Sequence, residues 1–425
     1  MTIRMESRLR RFGLNNDDRR RTMTLSLSHV FTGADLDVER LRAALGCVSD
    51  RHPALRTRFR LVEGGDPEQS VLPEGEVDVP LEIVRCRPLS SDGAPTAEAR
   101  EHLQRETERS FDLSSGALLR GQLLTDSENS HIVTLSADHI VSDGISAELM
   151  MADLVSAYVD PEAFRNKQPE FPQGTLIEFA AYQRDLVGGA RGEALLRAWT
   201  ERLPNGVPEM VVPRDFDTSE RTNDGGRLTT VVGPGGHRDM RQRMRELRAS
   251  PFVLAGAGLL AEFRRMGADG DLSFMTPCAG RPIDGFEDTV GNFTNVLPLV
   301  VPGPRTDDFA GLVRQVRSGA AWLLDHQEIP FASIVEAADP SSSPFPHERA
   351  QVFLSFQTRQ TPRLAGMTGS EIGPDHVDAL FDMSLWVTDL GNRLLIDLVY
   401  RRLLFDGATA ERVMAAVVHA LTGHR

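Results

Sequence analysis

The sequence predicts an α/β (mixed α+β) protein of two lobes, and three observations carry that reading. The chain has 425 residues, more than one compact domain ordinarily holds. Strand-like and helix-like runs follow one another in both halves, the pattern of sheets covered by helices. Residues 160–175 are rich in Pro, Gln, Glu and Asn, with breakers at Pro161, Pro169, Pro172 and Gly174, and mark a boundary or linker. No sequence repeat relates the two halves, so any duplication is structural only.

Taken in order, Met23 to Ser28 alternates apolar and polar residues as a half-buried strand does, and the alternation slips at His29-Val30-Phe31, where the strand is expected to end. Val38 to Val48 places Leu41, Ala44, Leu45 and Val48 on one helical face, and His52-Pro53 stops that helix. Leu55 to Leu61 reads as a strand, Ala97 to Ser110 as a charged helix and Leu118 to Leu124 as an apolar strand. Ile132 to Leu135 is a buried strand, and Ile145 to Tyr158 is a helix with Leu149, Met150 and Leu154 at helical spacing. Ile177 to Leu203 is mostly helical and 204–226 is loop. Pro251 to Met266 is a helix with Ser250 as N-cap and Pro251 at its first position. Leu272 to Thr276, Val296 to Val301, Gln351 to Phe356, Phe381 to Val387 and Leu394 to Tyr400 read as strands. Phe309 to His326 and Ala408 to Leu421 read as helices.

Hydrophobic residues make up 40% and charged residues 25%, as in ordinary globular proteins. Cys47, Cys86 and Cys278 are far apart and lack metal-ligand spacing, which argues for a reducing compartment; a cytoplasmic location is expected. No apolar run is long enough to span a membrane, and the N-terminus lacks the apolar centre of a signal peptide. The net charge of −14 disfavours nucleic acid as a partner. Two arginine groups, Arg8, Arg10 and Arg11 and then Arg19 to Arg21, read as solvated surface or as a docking patch for an acidic partner.

The segment from His131 to Gly144 (HIVTLSADHIVSDG) carries the most chemistry. It reads as a strand that stops at His139, turns at Asp143-Gly144 and restarts as a helix. Groups at such strand ends are held out from a rigid scaffold. Trp199, Trp322 and Trp386 read as packing residues. His326, near a helix C-terminus, is favoured there by the helix dipole and is given no catalytic part.

These segments together resemble the condensation domains of nonribosomal peptide synthetases, within the chloramphenicol-acetyltransferase-like acyltransferase superfamily. The family hallmark is a His-His-x-x-x-Asp-Gly loop, and residues 138–144 read DHIVSDG. Six further stretches match in order: Leu41 to Phe59, Phe111 to Leu124 (FDLSSGALLRGQLL), Thr276 to Pro282 (TPCAGRP), Gly291 to Pro298 (GNFTNVLP), His326 to Val335 and Val399 to Phe405. The resemblance covers nearly the whole chain. It implies two chloramphenicol-acetyltransferase-like lobes, each a mostly antiparallel or mixed sheet with flanking helices, forming a V-shaped pseudo-dimer around a central cleft. On that pattern residues 1–165 form the N-terminal lobe carrying the DHxxxDG loop, and 166–425 form a C-terminal lobe with the linker and the cleft-crossing segments. A monomer suffices.

One departure stands out. The first motif histidine is Asp138 here. The family's working histidine is the second, which His139 fills, and the first position is structural. Adjacent side chains of a strand point to opposite faces, so Asp138 and His139 should not share an environment. A buried Asp138 then needs hydrogen-bond partners or a cationic neighbour.

The resemblance implies transfer of an acyl group from a thioester on a carrier protein's phosphopantetheine arm to an amine or alcohol acceptor. Attack is direct, without an acyl-enzyme, which agrees with the absence of a Gly-x-Ser-x-Gly elbow. The enzyme itself binds no cofactor or metal. His139 is the candidate catalytic residue, as general base or as the group that orients the attacking atom; an imidazole's ordinary pKa of about 6.5 suits the task. The alternative is a core histidine satisfied by backbone carbonyls. Asp143 is implied to shape the loop by pairing with Arg281, and its position also suits a helix N-cap. Gly144 is read as allowing close approach of the substrate arm or supplying a positive φ, or as an ordinary turn glycine. Ser355 and Gln357 are weaker candidates for lining the cleft or acyl tunnel.

Three functions follow. The first is a freestanding condensation enzyme of natural-product assembly, met in trans by an acyl or peptidyl carrier protein and a small-molecule acceptor. The second is an acyltransferase that takes its acyl group from coenzyme A. The third is a catalytically inactive domain that recruits a partner protein.

Overall fold

The computed structural model describes the chain except at residues 4, 7–8, 10–22, 34, 64–65, 92, 127–128, 167–173, 205, 209–211, 219–221, 282–283, 304–307, 339–344, 346–350, 360–362, 365–366, 373–378 and 425. The two arginine groups near the N-terminus lie outside the described residues. The chain forms two compact units. The first takes Met1–Asp185, Arg281–Thr294 and Thr361–Asp375, and the second takes Leu186–Gly280, Asn295–Gln360 and His376–Arg425.

The first unit is built on a six-stranded sheet. Its strands are β1 (Thr24–Thr32), β4 (Leu81–Arg85), β5 (Leu119–Thr125), β6 (Ser130–Asp138), β11 (Arg363–Leu364) and β12 (Met367–Ile372), in the order β11-β12-β1-β6-β5-β4. A separate hairpin pairs β2 (Thr57–Arg60) with β3 (Glu68–Val71). Helices α1 (Val38–Arg51), α2 (Ala97–Glu108), α3 (Gly144–Val159), α4 (Pro161–Asn166) and α5 (Leu176–Gly188) complete it. The α1 face carrying Leu41, Ala44, Leu45 and Val48 is buried, as its spacing predicts. A carboxylate ties α1 to α3: Asp153 accepts from His52 Nε2 at 2.8 Å and pairs with Arg51 at 3.2 Å.

β1 does not end where its alternation slips. It pairs with β6 through all nine residues to Thr32, and with β12 from Ser28 to Thr32. Val30 packs into a small cluster with Ile132, Leu103 and Leu124, whereas Leu27 and Phe31 belong to the large core. Both faces are covered there, so the run after Ser28 needs no polar face.

The expected lobe boundary after residue 165 falls inside the first unit, which continues through Asp185. The described part of the expected linker includes α4, capped by Asp160 and anchored by the buried Phe164. Helix α5 then packs Phe179 against Phe286 and Phe293, with ring centroids 5.7 and 4.7 Å away. Prolines mark where regular structure breaks, but aromatic packing from a distant segment decides which body a helix joins.

The second unit is a six-stranded sheet of β7 (Gly225–Val232), β8 (Leu272–Cys278), β9 (Asn295–Val301), β10 (Val352–Thr358), β13 (Met383–Asp389) and β14 (Leu394–Arg401), in the order β7-β14-β13-β10-β8-β9. Its helices are α6 (Ala190–Arg202), α7 (Pro234–Leu247), α8 (Pro251–Met266), α9 (Phe309–Asp325), α10 (Phe331–Ala338) and α11 (Gly407–Thr422). Helix α8 matches its predicted bounds, and Ser250 Oγ accepts from Val253 N at 3.3 Å as its cap. The expected loop over 204–226 holds among the described residues until β7 begins at Gly225. Trp199 is fully buried edge-on to Trp322, so both pack as read, and the His326 ring stacks on Trp322 at 4.1 Å.

Helix α8 meets α11 at Gly258, where an added Cβ would lie 2.5 Å from Ala420 Cβ and 3.1 Å from the Ala416 carbonyl oxygen. Gly258→Ala is therefore expected to destabilise by about 1–3 kcal/mol. Gly46→Ala, on α1 with nothing within 4 Å of the new Cβ, is expected to stabilise by about 0.5–1 kcal/mol. Urea unfolding of the two variants checks the opposite signs.

Candidate active site

Strand β6 ends at Asp138, whose side chain is buried, and the chain turns tightly before α3. Asp138 Oδ1 accepts from Ile140 N at 2.9 Å, its carbonyl accepts from Val141 N at 3.0 Å, and Ser142 Oγ donates to the same carbonyl at 3.0 Å. His139 N donates to Met23 O at 2.7 Å, just before β1. The residue that departs from the motif thus closes the turn through its own carboxylate.

Arg120, on β5, stands opposite Ser136, two residues before Asp138 on β6, and its charge and that of Asp138 favour each other. Burial lowers the Arg120 guanidinium from its ordinary value; Glu106, and less strongly Asp138, oppose that shift. Arg120 Nε donates to Glu106 Oε1 at 2.5 Å, and its terminal nitrogens donate to the carbonyls of Glu106, Arg109 and Ser110. The guanidinium lies 4.0 Å from the Phe111 ring centroid. Phe111 and Arg120 are the two ends of the FDLSSGALLR stretch. Between them Gly116 takes φ +82, and an added Cβ would meet Leu72 Cδ1 at 2.6 Å, so both conformation and space require glycine.

His139 is half-buried in the turn. Its Nδ1 lies 2.7 Å from Ser142 O. A carbonyl oxygen only accepts, so Nδ1 carries the proton, and the lone pair of the neutral ring is on Nε2.

Asp143 is fully buried and does both things expected of it. Its Oδ1 caps α3 by accepting from Ser146 N at 2.8 Å. The carboxylate also pairs with Arg281, with contacts of 3.0 and 3.2 Å. Phe293 N and Thr294 Oγ1 donate to Oδ2 at 3.1 and 3.3 Å. Arg281 is itself buried, donates to the carbonyls of Phe286 and Thr289, and lies 4.4 Å from the Phe293 ring centroid.

Of the readings of Gly144, the positive φ does not hold, and a Cβ there would meet nothing of the protein within 4 Å. Gly144 is an exposed first residue of α3 that the backbone does not require to be glycine. Ser355 and Gln357 lie on β10 of the second unit. Ser355 is buried, and the Gln357 amide donates to Thr388 Oγ1 at 3.1 Å on the neighbouring strand. The structure brings His139, Asp138, Asp143 and Arg281 together within the first unit.

Sequence reasoning missed three participants. The Ser142 carbonyl fixes the ring, and no side-chain motif reports a carbonyl. Ser146 Oγ lies 2.8 Å from both Asp143 Oδ1 and Gly291 O. Asn292 donates through Nδ2 to the His139 carbonyl at 2.5 Å. The GNFTNVLP stretch was singled out for resemblance, and Asn292 lies in it, but nothing in one sequence says that it meets residue 139.

Burial pushes the Cys278 thiol up to about 12 and also raises that of the half-buried Cys86. Among the described residues, no helix is long and apolar enough to cross a membrane, and no group of three or more His, Cys, Asp and Glu could hold a metal ion.

The turn at the end of β6 thus presents an imidazole whose Nδ1 faces a carbonyl oxygen. The chain belongs to the condensation-domain family: the model of that family matches residues 14–423. It is 31% identical over 398 residues to a probable nonribosomal peptide synthetase, CymA, of Salinispora arenicola, covering 88% of this chain but only 5% of that protein. It is similar in fold to the first condensation domain of the calcium-dependent antibiotic synthetase in complex with a substrate analogue (TM-score 0.80, 19% identity, 100% and 95% of the two chains). It is likewise similar to the X-domain of teicoplanin biosynthesis in its complex with OxyB (TM-score 0.77, 24% identity, 100% and 92%).

Two predictions follow from the site's geometry. Arg281→Met leaves Asp143 buried without its cation and is expected to destabilise by about 3–5 kcal/mol, whereas the double variant with Asp143→Asn costs less than the sum of the single changes; urea unfolding of the three variants measures this. Iodoacetamide at pH 8 is expected to label Cys86 before Cys278, which reacts only on unfolding, as peptide mass mapping would report.

Proposed function

We propose that the chain transfers an acyl group from the phosphopantetheine thioester of a carrier protein to an amine or alcohol in natural-product assembly, with His139 as the group that takes the acceptor's proton. The observation that carries this reading is the 2.7 Å contact between His139 Nδ1 and Ser142 O, which leaves the lone pair on Nε2. Membership of the condensation-domain family supplies the reaction class.

The chemistry balances without an acyl-enzyme. The acceptor nitrogen or oxygen attacks the thioester carbon while Nε2 takes its proton. The tetrahedral intermediate collapses, the carbon–sulfur bond breaks, and the departing thiolate takes the proton back from the imidazolium. Asp143 and Arg281 touch neither substrate; they hold the loop. A neutral amine is already nucleophilic, so its need for the base is small, whereas an alcohol needs it more.

His139→Ala is therefore expected to lower condensation by about a hundredfold or more with an alcohol acceptor, and by less with an amine, in a fold that melts as wild type. The assay mixes acyl-loaded carrier with candidate acceptors and follows product by mass spectrometry. Near wild-type turnover in His139→Ala removes the histidine from the chemistry. Turnover with acyl-coenzyme A and no carrier moves the donor assignment. Carrier or oxygenase binding without turnover, unaffected by His139→Ala, replaces the enzyme with a recruiting domain.

A further inference from the structure

We infer that α7 carries a docking stripe for an acidic protein, formed by Arg238, Arg241 and Arg245, and that the partner it receives is the carrier protein. The naming of the partner rests on the function proposed above; the stripe itself does not.

Spacing makes the stripe. At 3.6 residues per turn, positions 238, 241 and 245 fall within about 60° of arc and along about 10 Å of helix. All three arginines are exposed, while His237 and Met240 face inward. Arg248 follows them as the exposed left-handed cap of α7, with φ 50. Its carbonyl accepts from Arg317 of α9 at 2.9 Å, which brings a further exposed cation to that end of the helix.

The stripe is also uncompensated. Among the described residues, the side chains of Arg238, Arg241 and Arg245 make no ion pair or hydrogen bond. The two acids of α7 are used elsewhere: Asp239 pairs with His424 at 3.1 Å, and Glu246 accepts from Gln242 Nε2 at 2.7 Å. Both stand about 80–100° around the helix from Arg238. Arg243 is turned inward, where its Nε donates to the Ala420 carbonyl at 3.0 Å and its guanidinium lies 5.8 Å from the Phe309 ring centroid. Other exposed arginines have found carboxylates, Arg60 with Glu68, Arg184 with Glu6 and Arg191 with Glu328. Like charges three and four residues apart destabilise a helix, and Gly235 and Gly236 in its first turn give α7 little propensity to spare. Stability does not account for three arginines in a row on this helix; an external anion does.

Charge complementarity names the occupant's chemistry: carboxylates repeated at three- and four-residue spacing, as one helix of a partner protein presents them. The chain's net charge of −14 repels an extended polyanion such as a nucleic acid or an anionic membrane, which would lie across the acidic surface as well. A compact partner that touches a single helix escapes most of that repulsion. Exposed guanidinium–carboxylate contacts are individually weak and screened by salt, so such a stripe speeds encounter more than it prolongs the complex. A carrier that must arrive, deliver its thioester and leave needs a contact of that kind.

The test measures carrier binding to the full chain by surface plasmon resonance at low and at high salt. Wild type is expected to bind more tightly at low salt. The triple variant Arg238→Gln, Arg241→Gln and Arg245→Gln is expected to bind about tenfold more weakly at low salt and to lose most of the salt dependence. In the condensation assay its KM for loaded carrier is expected to rise about tenfold with kcat little changed. Replacing three exposed arginines outside the stripe, Arg42, Arg85 and Arg197, by glutamine is expected to leave carrier affinity as in wild type. Should the triple stripe variant fail to fold, Arg241→Gln with Arg245→Gln gives the same reading. A folded stripe variant with wild-type carrier affinity at low salt overturns the inference, and so does an equal loss in the control variant. A stripe variant that loses self-association in sedimentation but keeps carrier affinity also overturns it, because the occupant is then a second copy of the chain. Stripe-dependent carrier binding in a protein whose turnover does not depend on His139 upholds the docking and overturns the proposed chemistry instead.

Discussion

The buried carboxylate of Asp143 is the fixed point of the candidate site. An isolated carboxylate in this environment would be strongly disfavoured. Here it accepts from the first turn of α3, from Arg281, from Phe293 N and from Thr294 Oγ1. The helix N-terminus adds its dipole to the guanidinium charge on the same anion. Each partner is also a constraint: the cap sets where α3 starts, and the other three contacts set where the 281–294 segment lies. The turn carrying His139 sits between these two, so its geometry is largely decided before any substrate arrives.

Asp138 shows how a chain can replace one motif residue while keeping the next. The position is one of the most buried in β6, and a carboxylate there needs compensation that an imidazole does not. The turn supplies one N–H and the neighbouring strand supplies Arg120, which already balances Glu106. Arg120 comes from the same stretch as Phe111, so the motif that reads as FDLSSGALLR is the cation's seat. His139 keeps its own partners, the Ser142 and Met23 carbonyls.

What was legible in the sequence follows how local the cause is. Helix α8 was readable to the residue, because its cap, its first-turn proline and its apolar face all lie within the segment. The strand ending at His139 and the capping role of Asp143 were readable for the same reason. The pairing of Asp143 with Arg281 spans 138 residues, and only the family resemblance gave it. β7 went unread, because its first two residues, Gly225-Gly226, fall in the expected loop over 204–226 and the rest carries no strong strand signal; pairing with β14 along eight residues makes it a strand. β12 was missed because a short polar segment becomes a strand only when β1 offers an edge. Asn292 carries no motif of its own: its role is set by which carbonyl it meets, and backbone acceptors leave no mark in a sequence.

The long-range character of the site has a consequence for how the first unit folds. Four of its six sheet strands (β1, β4, β5 and β6) and helices α1–α4 are complete by Asn166, yet the residues that neutralise Asp143 and hold His139 come from 281–294, a segment entered from β8 and left into β9. A chain ending at residue 185 would bury Asp143 without its cation and would lose Phe286 and Phe293 from the aromatic contact with Phe179. Both losses fall at the start of α3 and along α5, not in the sheet. The apolar sheet face can form early, from contacts within the first 160 residues, while the turn that presents the imidazole waits for a segment more than a hundred residues later. Bringing that segment in carries a loop-closure cost that grows only slowly with length, and a buried ion pair with its hydrogen bonds, joined to an aromatic cluster, offsets it. The candidate active site is thus completed only when the 281–294 segment arrives, and Asp143, the carboxylate at its centre, also holds that segment in place.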